Sequence, residues 1–318
     1  MRERTSASSV EPRFDAVGIG LNSVDLLCVV ERHPAFNTKG PLLEVSRQGG
    51  GQAATAMAAL ARLGLRTAYI GAVGDDAEGA FSVASLREEG VNVDGVALQP
   101  GRASQFAVIL VQRGGPPEER GGRTILWRRE AALGPGEVRE DIVRAARILH
   151  VDGHNIEAEL RAAAWAKEEG VPVSFDAERV LPGTEELVRR ADYLVGSEDF
   201  PAALTGEKSL EEALRAIRRM GPRVAAATLG ERGALAFDGE AFHRSPAFRV
   251  EAVDTTGAGD VFHAGFVFGV LQGYPLPRTL RFANALAAMS CRKLGGRAAL
   301  PRMAEVEEFL RRAGPLPA

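Results

Sequence analysis

The chain alternates short apolar segments with alanine- and leucine-rich segments, and this alternation restricts its fold more than any other feature. Phe14 to Gly20 is an apolar run bounded by glycine, and Gln52 to Leu63 is alanine-rich and stops at Gly64, a residue type favoured just past a helix end. Thr67 to Val73 then reads as a strand, and Glu78 to Glu89 reads as a helix. The order strand, helix, strand, helix predicts an α/β unit with a parallel sheet.

The same alternation returns in the second half of the chain. Strands are predicted at Ile148 to Asp152, Val171 to Phe175, Tyr193 to Leu194 and Val224 to Leu229. Helices are predicted at Glu157 to Glu169, Leu210 to Met220, Ala258 to Leu271, Pro277 to Leu294 and Ala304 to Arg311. The fold class is therefore α/β, with a central, mostly parallel sheet flanked by helices.

Two stretches interrupt this pattern with alternating apolar residues and no helix between them. They are Val29 to Gln48 and Ser104 to Trp127, and the second contains a hairpin signature around the glycine- and proline-rich tip Gly114 to Gly122. We interpret them as a small β-sheet lid, formed by about 29–48 and 104–130. The lid belongs to one large domain, 14–318, and residues 1–13 are expected to be a disordered tail.

Charge and hydropathy exclude several function classes. The 318 residues contain 39 Lys plus Arg and 42 Asp plus Glu, which gives a net charge of −3 and argues against a nucleic-acid or membrane-surface partner. No apolar run approaches the roughly 18 residues of a membrane span. The polar N-terminus lacks the apolar region of a secretory signal, so we expect a cytoplasmic protein.

The segment most suited to chemistry is Asp254 to Asp260, with the sequence DTTGAGD, at the start of a predicted helix. Gly257 and Gly259 allow the backbone to approach a ligand closely, and the amides of a helix N-terminus favour an anion, above all a phosphate in transfer. Asp260 is either an N-terminal cap or a general base for an attacking hydroxyl. An N-terminal cap alone does not require the whole DTTGAGD run, so the run favours Asp260 as a general base.

Two further loops follow the same logic. Gly49 to Gln52 places three glycines before the alanine-rich helix, as another close-approach loop or as a flexible connector. Gly20 to Asp25 follows the first strand, where open α/β sheets bind ligands. Asn22 and Asp25 are suited to the hydroxyls of a polyol, although a turn and a cap use the same residue types. A P-loop motif is absent from the sequence, and the dinucleotide fingerprint is incomplete.

With these segments in order, the chain resembles the PfkB, or ribokinase-like, carbohydrate kinase family over about Phe14 to Pro301. Within the family it is most similar to the ketohexokinase-like or general sugar-kinase branch. The matching motifs are Asp254 to Val267, Gly50 to Gly64, Gly71 to Asp76 (GAVGDD), Thr228 to Gly233 (TLGERG) and Ala283 to Pro301. The resemblance implies phosphoryl transfer from ATP with Mg²⁺ to a sugar hydroxyl, under a β lid that pairs two subunits as a homodimer.

The resemblance also implies roles for individual residues. Asp260 would be the base, and Gly257, Ala258 and Gly259 the anion hole. The sugar would be held by Asn22, Asp25, Gly50 and Gly51, with Gln52, Thr55 and His154 beside it. The nucleotide would be bordered by Thr228, Gly230, Gly233, Thr256 and Asn284. Asp254 and Thr256 match positions that line a monovalent-cation site, which implies activation by K⁺.

Some positions depart from the family pattern. Thr55 and Gln52 stand where asparagine is common, so the sugar contacts are expected to differ. In the family's NxxE element, linked to Mg²⁺ placement, Ser197 and Phe200 replace the two motif residues. Glu198 then either acts on Mg²⁺ through water or belongs to a solvated acidic turn.

The substrate stays open at this point. A free sugar or sugar acid is the leading expectation, and a sugar phosphate is the first alternative. Lysine is scarce, but Arg128 and Arg129 could clamp a carboxylate or phosphate, unless they are simply solvated. A nucleoside kinase would need aromatic stacking for which there is no cluster. A catalytically silent sugar or nucleotide sensor is the alternative from another class.

Overall fold

The computed structural model describes residues 12–116 and 122–314. Most of the predicted tail and the centre of the predicted hairpin tip lie outside the described residues. In the described part the strands form two sheets, one of nine strands and one of four. The nine-stranded sheet contains β1 (Ala16–Ile19), β4 (Thr67–Gly74), β5 (Asn92–Gln99), β8 (Leu149–Val151), β9 (Val173–Ala177), β10 (Tyr193–Gly196), β11 (Val224–Thr228), β12 (Ala234–Phe237) and β13 (Phe242–Ser245).

The large sheet is parallel except at one end. Its order is β13-β12-β11-β10-β9-β8-β1-β4-β5, and every pair from β11 to β5 is parallel. The pairs β11–β12 and β12–β13 are antiparallel. The parallel strands therefore end at one common edge, which is the edge where open α/β sheets bind ligands.

Helices cover both faces of this sheet, because its central strands are apolar on both sides. In β1, Val17 and Ile19 pack into one core and Ala16 into the other. The first core is closed by α3 (Glu140–Arg144), α4 (Ile156–Glu169), α5 (Thr184–Arg190) and α7 (Leu210–Met220). The second is closed by α1 (Gln52–Arg62), α2 (Ala77–Glu88), α8 (Ala258–Leu271), α9 (Leu276–Ser290) and α10 (Met303–Arg312). The short α6 (Phe200–Thr205) follows β10.

The small sheet has the order β3-β2-β6-β7 and stands apart from the large one. It consists of β2 (Ser23–Val30), β3 (Glu44–Gly50), β6 (Phe106–Gln112) and β7 (Arg123–Arg128). Its own core includes Leu27, Ile109 and Leu294. β7 is exposed along its whole length.

The predicted α/β class and the additional small sheet are confirmed. The predicted hairpin forms as β6 paired antiparallel with β7. The small sheet, however, begins at Ser23, inside the segment that we interpreted as a ligand loop, and so extends beyond the predicted 29–48. The helix predicted to reach Leu294 ends at Ser290. None of the described helices has the length and apolar character needed to cross a membrane.

Candidate active site

Loops from both halves of the chain meet at the carboxyl edge of the large sheet. Leu21 follows β1 and donates its backbone N–H to Asp152, which follows β8, at 2.7 Å. Asp176 lies at the end of β9 and contacts His263 of α8. The edge thus brings together residues more than a hundred positions apart in the sequence, as parallel strand ends require.

The N-terminus of α8 supplies unused backbone donors. Gly257 precedes the helix with a φ of 75°, and a Cβ there would lie 2.7 Å from the Cα of Gly296. The N–H of Ala258 donates to the Thr255 carbonyl at 3.2 Å, whereas those of Gly259 and Asp260 have no acceptor among the described residues. A Cβ on Gly259 would meet nothing within 4 Å. Donors without an acceptor at a helix N-terminus suit an anion.

Asp254 fixes the loop that leads into this helix. One carboxylate oxygen accepts from the backbone N–H of Thr256 at 2.9 Å and from its hydroxyl at 2.8 Å. The other accepts from the N–H of Gly295 at 2.8 Å. Both oxygens of this buried carboxylate therefore organise backbone, and its predicted role toward a monovalent cation stays a prediction.

Asp260 lies in the first turn of α8, half-buried. Burial is the largest cause that raises its pKa well above the ordinary value, and the nearby carboxylates of Asp176, Asp152 and Asp25 raise it further. A carboxylate with a raised pKa is a stronger base once it ionises, which is the property a general base needs.

The Asp25 side chain lies against Gly50 of the neighbouring strand β3, although the register pairs Asp25 with Gln48 and Gly50 with Ser23. A Cβ at position 50 would overlap the Asp25 carboxylate, so only glycine fits there. Asp25 is 8% exposed and accepts from the Ser23 hydroxyl at 2.7 Å. Burial raises its pKa, while the Ser23 hydrogen bond and the charge of Arg297 oppose that rise. The next glycine, Gly51, has a φ of 88° and packs against the backbone of the β1–β2 loop.

Arg297 is a buried cation that ties the C-terminal segment to the glycine loop. It donates to the Gly50 carbonyl at 2.6 Å, to the Thr55 hydroxyl at 3.2 Å and to the Ser85 hydroxyl at 3.2 Å. Burial lowers its pKa to about 10, so it stays charged at neutral pH. The hydroxyl of Thr55, predicted to face the sugar, is thus engaged by Arg297, and the sequence analysis did not identify this arginine.

The predicted sugar residues Gln52 and His154 are in contact, as a common site requires. His154 Nε2 lies 2.5 Å from Gln52 Oε1 and 3.8 Å from a carboxylate oxygen of Glu178. Burial opposes the charge of His154, but Glu178 and Asp152 outweigh it and raise its pKa. Gln52 also reaches Asp176 at 3.5 Å. These contacts form a polar row that leads toward Asp260.

Asp152 joins three of the site's loops, a role that the sequence analysis did not assign. Its carboxylate accepts backbone N–H groups of Leu21 at 2.7 Å, Ala53 at 3.2 Å and His154 at 3.2 Å. Buried Glu159 stands behind it, and burial together with the Asp152 charge raises the pKa of Glu159 well above its usual range. A strand end followed by Asp was the available signal, but nothing in the sequence indicated its partners.

A second unpredicted group lies beneath Asp260. His263, one turn further along α8, places Nε2 2.9 Å from the Asp176 carboxylate. Its ring lies 5.8 Å from that of His150, and both histidines are buried. Burial, followed by the charge of His263, lowers the pKa of His150 to about 3, so His150 is neutral at physiological pH.

Gly233 and Asn284, two of the residues predicted to border a nucleotide, meet at the end of β13, whereas Thr256 lies with Asp254. Gly233 has a φ of 88° and a Cβ there would lie 2.6 Å from the N of Ala247. The Asn284 side chain donates to the carbonyls of Ser245 at 3.0 Å and Pro246 at 3.2 Å. Asn284 therefore holds this segment in place, and its predicted position beside an adenine stays a prediction. Thr228 and Gly230 border the same loop.

Glu198, predicted to assist Mg²⁺, forms an ion pair with Arg232. Its side chain is 48% exposed. No group of three or more metal-ligating side chains occurs within residues 12–116 and 122–314. Mg²⁺ commonly takes one or two carboxylates together with phosphate oxygens and waters, so such a group is not required for a metal carried by a nucleotide.

Known proteins share this fold and sequence. Residues 14–303 match the family described as pfkB family carbohydrate kinase. An ATP-dependent ribose-1-phosphate kinase from Halopiger xanaduensis is 32% identical over 289 residues, which cover 90% of this chain and 94% of the relative. A 5-dehydro-2-deoxygluconokinase from Bacillus licheniformis is 27% identical over 324 residues, covering 94% and 97%. The structure of an Arabidopsis thaliana ribokinase complexed with ribose and ATP aligns with a TM-score of 0.79 at 25% identity, covering 93% and 98%.

The family match and these relatives define a phosphotransferase that acts on an alcohol group, namely a carbohydrate kinase. The match over residues 14–303 shows further that the chain belongs to the pfkB family. The predicted resemblance is thereby confirmed, and the fold is ribokinase-like.

Proposed function

We propose that this protein transfers the γ-phosphoryl group of ATP to a hydroxyl of a free sugar or sugar acid. The observation that carries the proposal is the N-terminus of α8. It places the Asp260 carboxylate beside backbone donors that have no acceptor in the described chain. A base next to an anion hole is what transfer to a hydroxyl needs, because this chemistry depends on positioning and charge stabilisation.

In the proposed reaction, Asp260 accepts the proton of the attacking hydroxyl. The free N–H groups at Gly257, Gly259 and Asp260 stabilise charge on the transferred phosphoryl group. Asp25, Gln52 and His154 hold the sugar, and the loop around Gly230 and Gly233 borders the nucleotide.

ATP and Mg²⁺ are the proposed cofactors. The unused amides at α8 suit the terminal phosphates of ATP, and Mg²⁺ would neutralise charge on the triphosphate. Glu198 is paired with Arg232, so we propose that it, or its exposed neighbour Asp199, acts on the metal through water. Activation by K⁺ at Asp254 and Thr256 would appear as unequal rates in potassium, sodium and choline salts.

We also propose a homodimer that pairs through the small sheet. Its edge strands expose apolar side chains, including Val45 at 54%, Leu126 at 61% and Trp127 at 60%. Surfaces of this kind on edge strands favour pairing with another chain. Light scattering would give twice the monomer mass, and substituting Trp127 by serine would lower it.

The experiment that tests the function combines turnover with binding. ADP release is measured with ATP and Mg²⁺ against free sugars, sugar acids, sugar phosphates and nucleosides, and binding of each compound is measured by calorimetry. We expect turnover of at least one sugar compound, and a loss of about 10²- to 10⁴-fold in Asp260→Asn. Asp141→Asn is the matched control, because Asp141 is an exposed first-turn aspartate of α3 paired with Arg139. Binding without any ADP release would instead support a sensor.

A further inference from the structure

Glu159 of α4 carries a carboxyl group to which the proposed reaction gives no role. Its side chain is fully buried. One carboxyl oxygen accepts the backbone N–H of Gly153 at 2.9 Å, and the other accepts that of Asn155 at 3.0 Å. Burial of a carboxyl group is unfavourable unless a partner compensates for the lost hydration. The group that faces Glu159 therefore determines its ionisation state.

The carboxyl group that faces Glu159 belongs to Asp152, which is also buried. The two side chains lie on either side of the turn 153–155. Asp152 accepts the N–H of His154 at 3.2 Å, and Glu159 accepts those of the residues before and after it. The carboxyl groups are in hydrogen-bonding contact with each other, and neither forms an ion pair with an arginine or lysine in the described ranges. Two such buried groups cannot both be ionised, so one of them holds a proton.

The backbone hydrogen bonds determine which of the two groups keeps the proton. Asp152 accepts three backbone N–H groups, whereas Glu159 accepts two. Because N–H donors stabilise the ionised form of a carboxyl group, Asp152 is the anion and Glu159 is the acid. Burial and the charge of Asp152 raise the pKa of Glu159 well above its usual range, which agrees with this assignment.

Asp152 connects the proton on Glu159 to the sugar side of the site. Its carboxylate accepts backbone N–H groups from the β1–β2 loop, from the first turn of α1 and from the loop after β8. These three segments carry the buried Asn22, Gln52 and His154, which are predicted to hold the sugar. The orientation of this one carboxylate therefore affects all three segments, and the hydrogen bond from Glu159 fixes that orientation.

We propose that Glu159 is a positioning residue for sugar binding, which keeps a proton, donates it in a hydrogen bond to Asp152, and so holds the three sugar-binding segments in place. The effect on the sugar rests on the proposed function, whereas the shared proton is a property of the protein without substrate. When Glu159 releases its proton to solvent, two negative charges repel each other behind the site. Asp152 then loses its donor, and the segments that it holds loosen.

Infrared spectroscopy of the protein without substrate detects the proton directly. A protonated carboxyl group has a C=O stretching band that a carboxylate lacks. At about pH 8, where an ordinary glutamate is fully ionised, the difference between the wild type and Glu159→Gln should contain this band. Asp25 and Asp260 also have raised pKa values, but they are present in both proteins and cancel in the difference.

Glu157→Gln is the matched control for the infrared experiment. Glu157 lies in the same first turn of α4 but is exposed. Its difference from the wild type should contain no band of a protonated carboxyl group. Absence of the band in the Glu159→Gln difference would overturn the proposal.

Rescue by a conservative variant tests the positioning role. Glu159→Gln keeps an N–H donor for Asp152 but loses one of the two backbone acceptors, so the KM of the best sugar compound should rise by no more than about 10-fold. Glu159→Leu loses the donor and both acceptors, and its KM should rise by about 10-fold more, with a smaller change in kcat. Calorimetry without ATP should give the same order of sugar affinities. Equal KM values in the two variants would overturn the role.

The pH dependence of KM provides a comparison that does not need Glu159→Leu to fold. The wild-type KM should rise with pH only where the infrared band disappears, and the KM of Glu159→Gln should stay constant there. The other titratable groups that interact with the pair are present in both proteins: Tyr69 of β4, His150 of β8, His154 of the following loop and Asp260 of α8. An equal rise in both proteins would assign it to His154, whose pKa is also raised, and would overturn the proposal.

The outcomes distinguish this inference from the kinase function. Absence of turnover with every sugar compound would overturn the proposed function, while the infrared difference would still show whether Glu159 holds the proton. Turnover together with a missing infrared band would overturn the role of Glu159 and leave the kinase intact.

Discussion

The pKa of Asp260, the proposed base, is set first by its burial and then by the acidic residues around it. Burial and the carboxylates of Asp176, Asp152 and Asp25 raise its pKa, so it holds its proton at a pH where an exposed aspartate has lost it. Its identity as a candidate base was predictable from the GAGD run. Of the acidic residues that raise its pKa, Asp152 follows β8 and Asp176 lies near the end of β9, so their approach to Asp260 depends on the folded sheet and could not be predicted from the sequence.

The raised pKa gives a pH dependence with a definite sign. The base form of Asp260 appears as pH rises through its pKa, so kcat/KM should increase with pH along an acidic limb above about 3.9, the ordinary aspartate value. Asp176→Asn removes a neighbouring negative charge and should shift that limb to lower pH. The measurement is kcat/KM over pH for the wild type, this variant and Asp141→Asn. An identical limb in all three would contradict the assigned electrostatics.

The same shift has a consequence for stability. A raised pKa means that folded Asp260 binds its proton more tightly than unfolded Asp260, so stability is lost as pH rises between the two pKa values. Because asparagine does not ionise, Asp260→Asn removes this pH-dependent loss of stability. Its Tm should exceed that of the wild type by on the order of 2 °C at about pH 8, with a smaller difference at about pH 4. A lower Tm at pH 8 would show that the carboxylate stabilises the fold.

The element that carries the proposed anion site is the start of α8, where a fixed turn at Gly257 is followed by unobstructed space at Gly259. Gly257 is required by its φ of 75° and by the backbone of Gly296, whereas Gly259 has open space around it. The sequence predicted α8 with the observed bounds, because its glycines indicate a helix start and its apolar residues indicate one continuous helix. It missed β5, β12 and β13, since β12 and β13 have only four residues each and Asp94 and Gly95 interrupt the apolar pattern of β5.

Alanine substitutions at Gly257 and Gly259 distinguish an effect on stability from an effect on catalysis. Gly257→Ala should lower Tm, because its Cβ approaches Gly296 to 2.7 Å and the left-handed backbone costs about 1–2 kcal/mol. Gly259→Ala should keep or raise Tm, since alanine is favoured in helices by about 1 kcal/mol. It should nevertheless lower kcat, because its methyl group enters the space over the free amides. Full activity in Gly259→Ala would remove the anion hole from that position.

At the scale of the whole molecule, the small sheet reaches the loop that begins the active helix. Arg123 of β7 donates to the Thr255 hydroxyl at 2.7 Å, and both residues are exposed. The two-sheet architecture was predictable, because strands without helices interrupted the α/β pattern. The contact between the small sheet and the loop before α8 was not, since it joins positions 132 residues apart.

The contact between Arg123 and Thr255 leads to a prediction about ATP hydrolysis. We propose that the small sheet acts as a lid over the site and excludes water, which would otherwise compete with the sugar as phosphoryl acceptor. Arg123→Gln and Thr255→Val each remove one side of the contact and should raise the ratio of ATP hydrolysis to sugar phosphorylation, to a similar extent. Arg128→Gln is the control on the same strand. An unchanged ratio in both variants would show that the contact does not close the site.

The proposed transfer of a phosphoryl group from ATP to a sugar hydroxyl is tested by following the γ-phosphoryl group itself. ATP labelled at the γ-phosphate is incubated with Mg²⁺ and the best compound of the sugar panel, and the labelled product is separated and quantified. We expect label on a sugar hydroxyl with the wild type, and a transfer rate lower by about 10²- to 10⁴-fold with Asp260→Asn. Label found only in inorganic phosphate would contradict transfer to a sugar, and equal transfer by the two proteins would contradict the role of Asp260 as the base.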